Sequence, residues 1–407
     1  MWEQIRSNRT RSIILVALMG AFLVGIGWLL GVGIADSGTG GVVVAILLFI
    51  ILSLLAYFQG DSILLSVAGA RKIKREDHPR LYNVVEEMKI AASLPTIPDI
   101  YIIDDPSLNA FATGRDINHA SVAITSGLLE KLNRDELQGV IAHEIGHIKN
   151  RDVLLMAMCS VLLGTIVILS FYGSRLMIFG GMSGGSRRSG SRDNRGGGGA
   201  AIIVVIALLL AILAPIFAQL IYLAVSRRRE YLADASSALY TRNPEGLASA
   251  LEKLAASTAP VKNANQATAP MYIVNPFRNR NASPTDWTST HPPIQERIRI
   301  LRAMAGNVSY TTYNEAYKNV KHSSGGVMSS QSAALVPGAA IVAGTQQGPV
   351  EEPAAAKVDR AREVSNLMYK LDDYSIIDCE CGTRLKVPPA LRGQTVRCPH
   401  CGRRHQA

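Results

Sequence analysis

A chain of 407 residues is longer than one ordinary domain needs, and 48% hydrophobic against 18% charged residues leans toward a membrane protein. The formal net charge of +10 is no mark of nucleic-acid binding by itself, because Lys and Arg collect in the cytoplasmic loops that flank membrane spans. Of five cysteines, four stand in two close pairs near the C-terminus, which speaks against a disulfide framework and for a metal site; Cys159, in an apolar run, reads as a small buried hydrophobe.

Four stretches, 12–35, 41–58, 153–172 and 200–225, approach or exceed the roughly 18 apolar residues that a bilayer core of about 30 Å demands of a helix. The first is too long for a cleavable signal and lacks a small-residue cleavage site, so it is expected to stay as an anchor. Arg6, Arg9 and Arg11 precede it, Arg71, Lys72, Lys74 and Arg75 follow the second stretch, and the connecting "DSGTG" carries no positive charge. Both ends of that hairpin are therefore expected in the cytoplasm. Residues 69–152 follow to that side, as does the polar region from Ser226 if the last two stretches pair as a hairpin. Against this runs the loop between them, with Arg175, Arg187, Arg188, Arg192 and Arg195, which leaves open a hairpin that only partly enters the bilayer.

In the polar region "NAFATG" (109–114) leads into the β-prone "SVAITSG", a place for an exposed edge strand. His119 has no partner at metal spacing and is expected exposed. "HEIGH" then supplies H-E-x-x-H: His143 and His147, four apart on a helix, sit one turn above each other and can grip one zinc. Glu144 lies beside them, placed to polarise a water whose pKa the metal lowers. Asp135 and Glu136 give the helix an acidic first turn, and apolar residues recur along it at helical spacing. A catalytic zinc takes three protein ligands and leaves one position open. The third ligand is sought in "RRREYLADASSALY", where Glu230 would bind and Asp234, one turn on, would fix a ligand histidine by a hydrogen bond. Spacing alone leaves Glu230 equally readable as a surface carboxylate neutralising Arg227 to Arg229. His291 in "THPP" could stabilise an oxyanion or serve as a structural turn residue.

Beyond about residue 305 the composition changes. Residues 323–353 are rich in Gly, Ser, Ala and Pro and read as a flexible linker, followed by a short amphipathic helix over 354–371. Cys379 and Cys381, then Cys398 and Cys401, form two pairs around a β-prone stretch, the pattern of a zinc ribbon in which four thiolates close a structural site. The first pair is C-x-C where C-x-x-C is commoner, so His400 or His405 could replace a cysteine. So small a body takes much of its stability from the metal, and free thiols suit a reducing compartment. The basic residues Arg384, Lys386, Arg392, Arg397, Arg403 and Arg404 read as a solvated face in preference to a nucleic-acid surface.

"NAFATG", "VAITSGLLEKLNRDELQGVIAHEIGHIKNRD", "SRRREYLADASSA" and "THPPIQERIRIL" occur in the order and spacing of the HtpX-type membrane metalloproteases, relatives of the CAAX prenyl proteases, which the chain resembles over residues 1 to about 305. The resemblance implies His143, His147 and Glu230 as ligands of a catalytic zinc, Glu144 as base and Asp234 as support. It also implies that the motif helix continues into the apolar run after it, holding the site at the bilayer surface. Asn109, Ala110 and Phe111 are expected to bind an extended substrate, and His291 to assist the reaction.

The expected fold is mainly α: about four transmembrane helices, a cytoplasmic zincin-like α+β metalloprotease domain and a small C-terminal β zinc ribbon. Its parts are a transmembrane hairpin (1–68), a metalloprotease domain containing a second hairpin (69–322), a linker (323–356), and a helix with the ribbon (357–407). The expected protein is a multi-pass inner-membrane zinc endopeptidase that cuts misfolded or damaged membrane proteins or unfolded polypeptides at the cytoplasmic face, with Zn2+ at the catalytic site and a second Zn2+ in the tail. The alternative is a catalytically silent, membrane-anchored zinc-ribbon adaptor or sensor, against which stands the intact set His143, Glu144, His147 and Glu230.

Overall fold

The structure, a computed structural model, describes residues 37–158, 227–257, 292–304, 307–334 and 353–406, with Tyr272, Ile273, residues 339–340, and scattered positions before residue 37 and at 213 and 216. Its first continuous element is helix α1 (Gly38–Val67), capped by Ser37, whose hydroxyl accepts from Gly40 N at 3.2 Å. Thirty residues rise about 45 Å, enough to cross a bilayer core. Only 11% of its apolar window is buried, and Val44, Leu47, Ile51 and Leu54 leave more than half their surface open. A core helix of a soluble protein would hide these side chains; here they are free to face lipid. Among the described residues this is the one helix long and apolar enough to span. The expected spans at 12–35 and 200–225, the third from residue 159 on, and the Arg-rich loop lie largely or wholly outside the described residues.

Just past α1 the chain builds a four-stranded sheet from β1 (Ala70–Lys72), β2 (Asp99–Ile103), β3 (Ala110–Asp116) and β4 (His119–Thr125), in the order β1-β2-β4-β3. β2 and β4 are parallel and the other pairs antiparallel, which leaves β3 on the outer edge. The hairpin between β3 and β4 is tight: Gly114 has φ +138, and a Cβ there would stand 2.3 Å from His119 O. One face of the sheet, through Ile100, Ile102, Val122 and Ile124, packs on helices α2 (Pro79–Ala91), α3 (Ser126–Lys131) and α4 (Arg134–Lys149). The other face, through Ile103, Phe111 and Ala123, packs on Leu64, Leu65 and Ala68 at the end of α1 and on Met156 and Ala157. The two-residue alternation of strands thus places the sheet between the helical core and the foot of the apolar helix.

Helix α4 carries the H-E-x-x-H motif and begins in a reciprocal cap. Asn133 accepts from Glu136 N at 2.9 Å, and Glu136 accepts from Asn133 N at 2.8 Å. Helices α5 (Arg227–Thr241), α6 (Pro244–Ala256) and α7 (Ile294–Arg302) close around α4. Gly139 permits the approach of α6, since a Cβ there would lie 2.6 Å from Leu247 N. The expectation that α4 runs on into the apolar stretch is corrected. It stops at Lys149, Arg151 turns left-handed at φ 58, and a new helical segment starts at Val153. The break lets Asp152 fold back, its N–H reaching His147 O at 3.0 Å.

The described chain continues through β5 (Asn307–Val308), α8 (Tyr310–Lys321), α9 (Ser330–Ala334) and β6 (Ala339–Ala340). The linker expected from residue 323 therefore needs correcting at its start. Val327 and Met328 are buried, Asn314 binds the N–H groups of both, and Arg228 donates to Gly326 O and Val327 O. Two apolar anchors inside a Gly- and Ser-rich run suffice, and composition averages them away. Helix α10 (Ala354–Leu371) inserts Val364 and Leu367 into the main core, and Arg360 Nε donates to Glu130 O of α3 at 3.1 Å. Two hairpins follow, β7 (Ser375–Asp378) with β8 (Arg384–Val387) and β9 (Thr395–Arg397) with β10 (Arg404–Gln406).

Leu367→Asp would set an unpaired carboxylate in this core, at a cost of several kcal/mol. Amide exchange across 126–131 and 354–371 is expected to rise about tenfold or more. Val358→Asp, at a position 47% exposed on the same helix, is expected to change neither segment.

Candidate active site

Two helices meet at the site. α4 presents His143, Glu144 and His147, and α5 presents Glu230 and Asp234; all five are buried. The Nε2 atoms of His143 and His147 stand 3.2 Å apart, and the Glu230 oxygens lie 3.6 Å from the first and 3.4 Å from the second. Ligands about 2.05 Å from one zinc at tetrahedral angles stand about 3.3 Å from each other, so these spacings suit one ion held by both rings and the Glu230 carboxylate. The second nitrogen of each ring is also held. His143 Nδ1 lies 3.0 Å from Asp234 Oδ1, and His147 Nδ1 lies 3.4 Å from Asp152 Oδ2, so each ring keeps its Nε2 for the shared centre.

Charge asks for a cation as well. Glu144, Asp152, Glu230 and Asp234 are four buried carboxylates, and the buried guanidiniums beside them are Arg229 and Arg297. Two negative charges remain, which a divalent ion balances. Arg297 donates from Nε and Nη2 to the two oxygens of Asp234 at 2.8 and 2.7 Å, and its Nη1 lies 3.5 Å from Glu230 Oε2. Arg229 Nε faces Asp152 Oδ1 at 3.7 Å. Burial alone would depress the His143 imidazole, yet Asp234 and Glu230 hold it above its ordinary value. Burial acts likewise on His147, and Asp152 with Glu230 push it up to about 10. The pocket favours a positive charge on those nitrogens, whether proton or metal. Burial raises the Glu144 carboxyl, the imidazoles drawing it back; Ala112 N–H of β3 donates to it, and its Oε2 has no hydrogen-bond partner among the described residues.

Strand β3 lies over this pocket. Asn109, Ala110 and Phe111 are buried at its start; Asn109 N–H donates to Thr125 Oγ1, and Ala110 O accepts from Ile273 N at 3.0 Å. Phe111 stacks edge-on against Tyr272, so segment 272–273 already lines that end of the strand. His291 lies outside the described residues. His119 is exposed and pairs only with Asp116 among the described residues. In the tail the four cysteine sulfurs converge within 4.8 Å, with Cys379–Cys401 at 3.5 Å and Cys381–Cys398 at 3.7 Å. Four thiolates about 2.3 Å from one zinc stand about 3.8 Å apart, so this set fits a closed metal site.

Two members of the site escaped the sequence reading. Asp152 follows His147 by five residues, off the helical spacing, and reaches it only because α4 breaks. Arg297 lies six residues after His291 in a run that looks like a surface helix, yet it is the largest fully buried side chain described.

A histidine pair with its intervening glutamate on one helix, completed by a glutamate from a second helix, defines a zinc metallopeptidase. The sequence model of Peptidase family M48 matches residues 75–305, and the chain belongs to that family. Relatives described as "Protease HtpX homolog" are 46% identical over 309 residues in Dictyoglomus turgidum, covering 74% of this chain and 94% of the relative, and 40% identical over 304 residues in Lactobacillus helveticus, covering 75% and 100%. The solved Ste24p of S. mikatae aligns with 74% of this chain and 67% of its own at 19% identity, with a TM-score of 0.41. The protein is thus a zinc metalloprotease of the membrane, HtpX-type in sequence. The cysteine cluster lies beyond the matched domain.

Asp152→Asn and Asp234→Asn are each expected to weaken zinc binding about 10–100-fold while leaving the three ligands in place. Arg302→Met, which removes an exposed bridge to Glu245 and Glu252, is expected to leave it unchanged. Competition against a chromogenic chelator measures both.

Proposed function

We propose that this membrane protease is an endopeptidase that cuts misfolded or damaged membrane proteins, and unfolded polypeptides, at the cytoplasmic face of the inner membrane. The observation that carries the reading is the convergence of three metal-ligating donors and a buried carboxylate on α4 and α5, with His147 six residues before the apolar segment that starts at Val153. A chain entering or leaving the bilayer would meet such a site first. His143, His147 and Glu230 are assigned as ligands of the catalytic zinc. Bound there, zinc supplies a Lewis acid that makes a water nucleophilic near neutral pH and polarises the scissile carbonyl.

The protein's own groups do the rest. Glu144 takes the proton of the attacking water and returns it to the leaving amine; burial and the contact with Ala112 N–H keep it aimed at the shared centre. Asp152 and Asp234 hold the rings, and Arg297 holds Asp234. His291 is assigned to the oxyanion of the tetrahedral intermediate. The outer edge of β3 beyond the Ala110–Ile273 hydrogen bond, with Asn109, Ala110 and Phe111 at its start, is assigned to the substrate backbone. Strand addition there gives affinity with little dependence on sequence, which suits a protease of damaged proteins. Cys379, Cys381, Cys398 and Cys401 are assigned to a structural zinc.

Glu144→Gln keeps all three ligands and is expected to retain zinc while losing about 10²–10⁴ in turnover of casein, because an amide cannot take the proton. A zinc-loaded variant with undiminished turnover refutes the assignment. Reporter fusions after Asp77 and after Tyr240 are expected to give a cytoplasmic signal. A periplasmic signal from either overturns the proposed face.

A further inference from the structure

The tail ribbon is rooted beside the foot of α1. Arg71, four residues past the end of that helix, donates to Leu371 O at 3.1 Å and to Asp372 Oδ1 at 2.6 Å, and the ribbon's Arg392 donates to Asp373 O at 2.6 Å. From that root residues 375–406 make a body with a radius of gyration of about 8 Å. The ribbon therefore starts beside the point where α1 ends and extends about 20 Å from that root. The other basic residues just after α1 are mostly spent inside the protein, Lys72 on Asp99 and Arg75 on Glu86.

Within the ribbon the charges are unevenly matched. Its two acids are taken, Asp378 by Arg384 and Glu380 by Arg403. Lys386 lies over the Tyr369 ring and donates to Ser365. Arg397 and Arg404 remain, and β9 pairs with β10 so that these two stand directly opposite each other. Both are exposed, and among the described residues neither has a hydrogen bond or ion pair. Like charges at facing positions destabilise a hairpin, so folding alone does not account for the pair. Four thiolates around a divalent ion would offset two of the ribbon's positive charges, but six basic residues against two acids leave two more. An anion with several oxygens, bridging two guanidiniums, removes the repulsion.

We propose that the β9–β10 face, centred on Arg397 and Arg404, docks on the phosphates of anionic phospholipid headgroups beside α1. The inference rests on α1 spanning the bilayer. Location favours lipid: the root puts the pair within reach of a surface whose negative potential attracts each basic residue and fades over a Debye length of about 8 Å. Docking would hold the ribbon flat beside the protease domain, where it screens what approaches along the membrane.

The test uses the full chain in nanodiscs of phosphatidylcholine alone and of phosphatidylcholine with about a third phosphatidylglycerol. Incorporation into discs checks the membrane reading separately. Amide exchange over 395–406 is expected to be about tenfold slower in the anionic discs and to lose that difference in high salt. Arg397→Ala with Arg404→Ala should abolish the difference while tail zinc and casein turnover stay unchanged. Arg397→Lys with Arg404→Lys should keep most of it. Equal exchange in the two discs overturns the proposal. So does protection by inorganic phosphate or a single-stranded oligonucleotide in the uncharged discs with none from anionic lipid.

Discussion

The site depends on a charge imbalance that folding creates and that a cation on the two imidazoles, proton or metal, relieves. Four carboxylates are driven out of water around two imidazoles, and two guanidiniums offset only half of them. Taking one carboxylate out of water costs several kcal/mol, so so many are tolerated only where a strong cation is expected. The fold supplies the rigidity that makes this usable. α4 is fixed at its start by a reciprocal cap and along its length by α5 and α6, so the rings cannot swing away to relieve the strain of their neighbours. Arg297 matters most here. It touches Asp234 and Glu230 together, and so ties the metal ligand from α5 to the group that orients the ligand from α4.

The sheet links this chemistry to the bilayer. Its two faces serve different masters: one closes the core that carries the histidines, the other rests on the last turn of α1. β3 belongs to both. Ala112 reaches the catalytic glutamate through its backbone, while the next residue back, Phe111, sits in the cluster at the helix foot. A displacement of α1 relative to the sheet would therefore be felt within one residue of Glu144. A site on a flexible tether would be insulated from such movement, and this one is built so that it is not.

Much of this was legible in the sequence because the motif residues act through local spacing. The i, i+4 histidines and the glutamate between them are helical geometry written in one dimension, whereas spacing left Glu230 readable as a surface carboxylate and the family resemblance singled it out with Asp234. The apolar span at 41–58 was equally plain, though the helix runs over 38–67, and so was the convergence of four cysteines. What could not be read depends on tertiary contact. Arg297 looks like any surface arginine until α7 is packed against α5. Asp152 is off the helical phase, and its role follows from a backbone turn at Arg151 that composition does not announce. Val327 and Met328 were hidden in a run whose average looked unstructured, since two buried side chains scarcely change a mean.

The tail shows the same limit from the other side. A glycine-rich stretch before a small metal body suggests a module on a string, and chain entropy would favour that arrangement. Leu367 and Val364 in the main core, with Arg360 capping a carbonyl of α3, outweigh that entropy locally and fix α10 to the protease. α3 directly follows β4, whose Thr125 hydroxyl accepts from Asn109 N–H and donates to Ser107 O. The ribbon's anchor thus leans on the strand pair that leads to the substrate edge. Any force on the ribbon is carried through α10 and α3 to that edge by packed side chains and not by a slack linker.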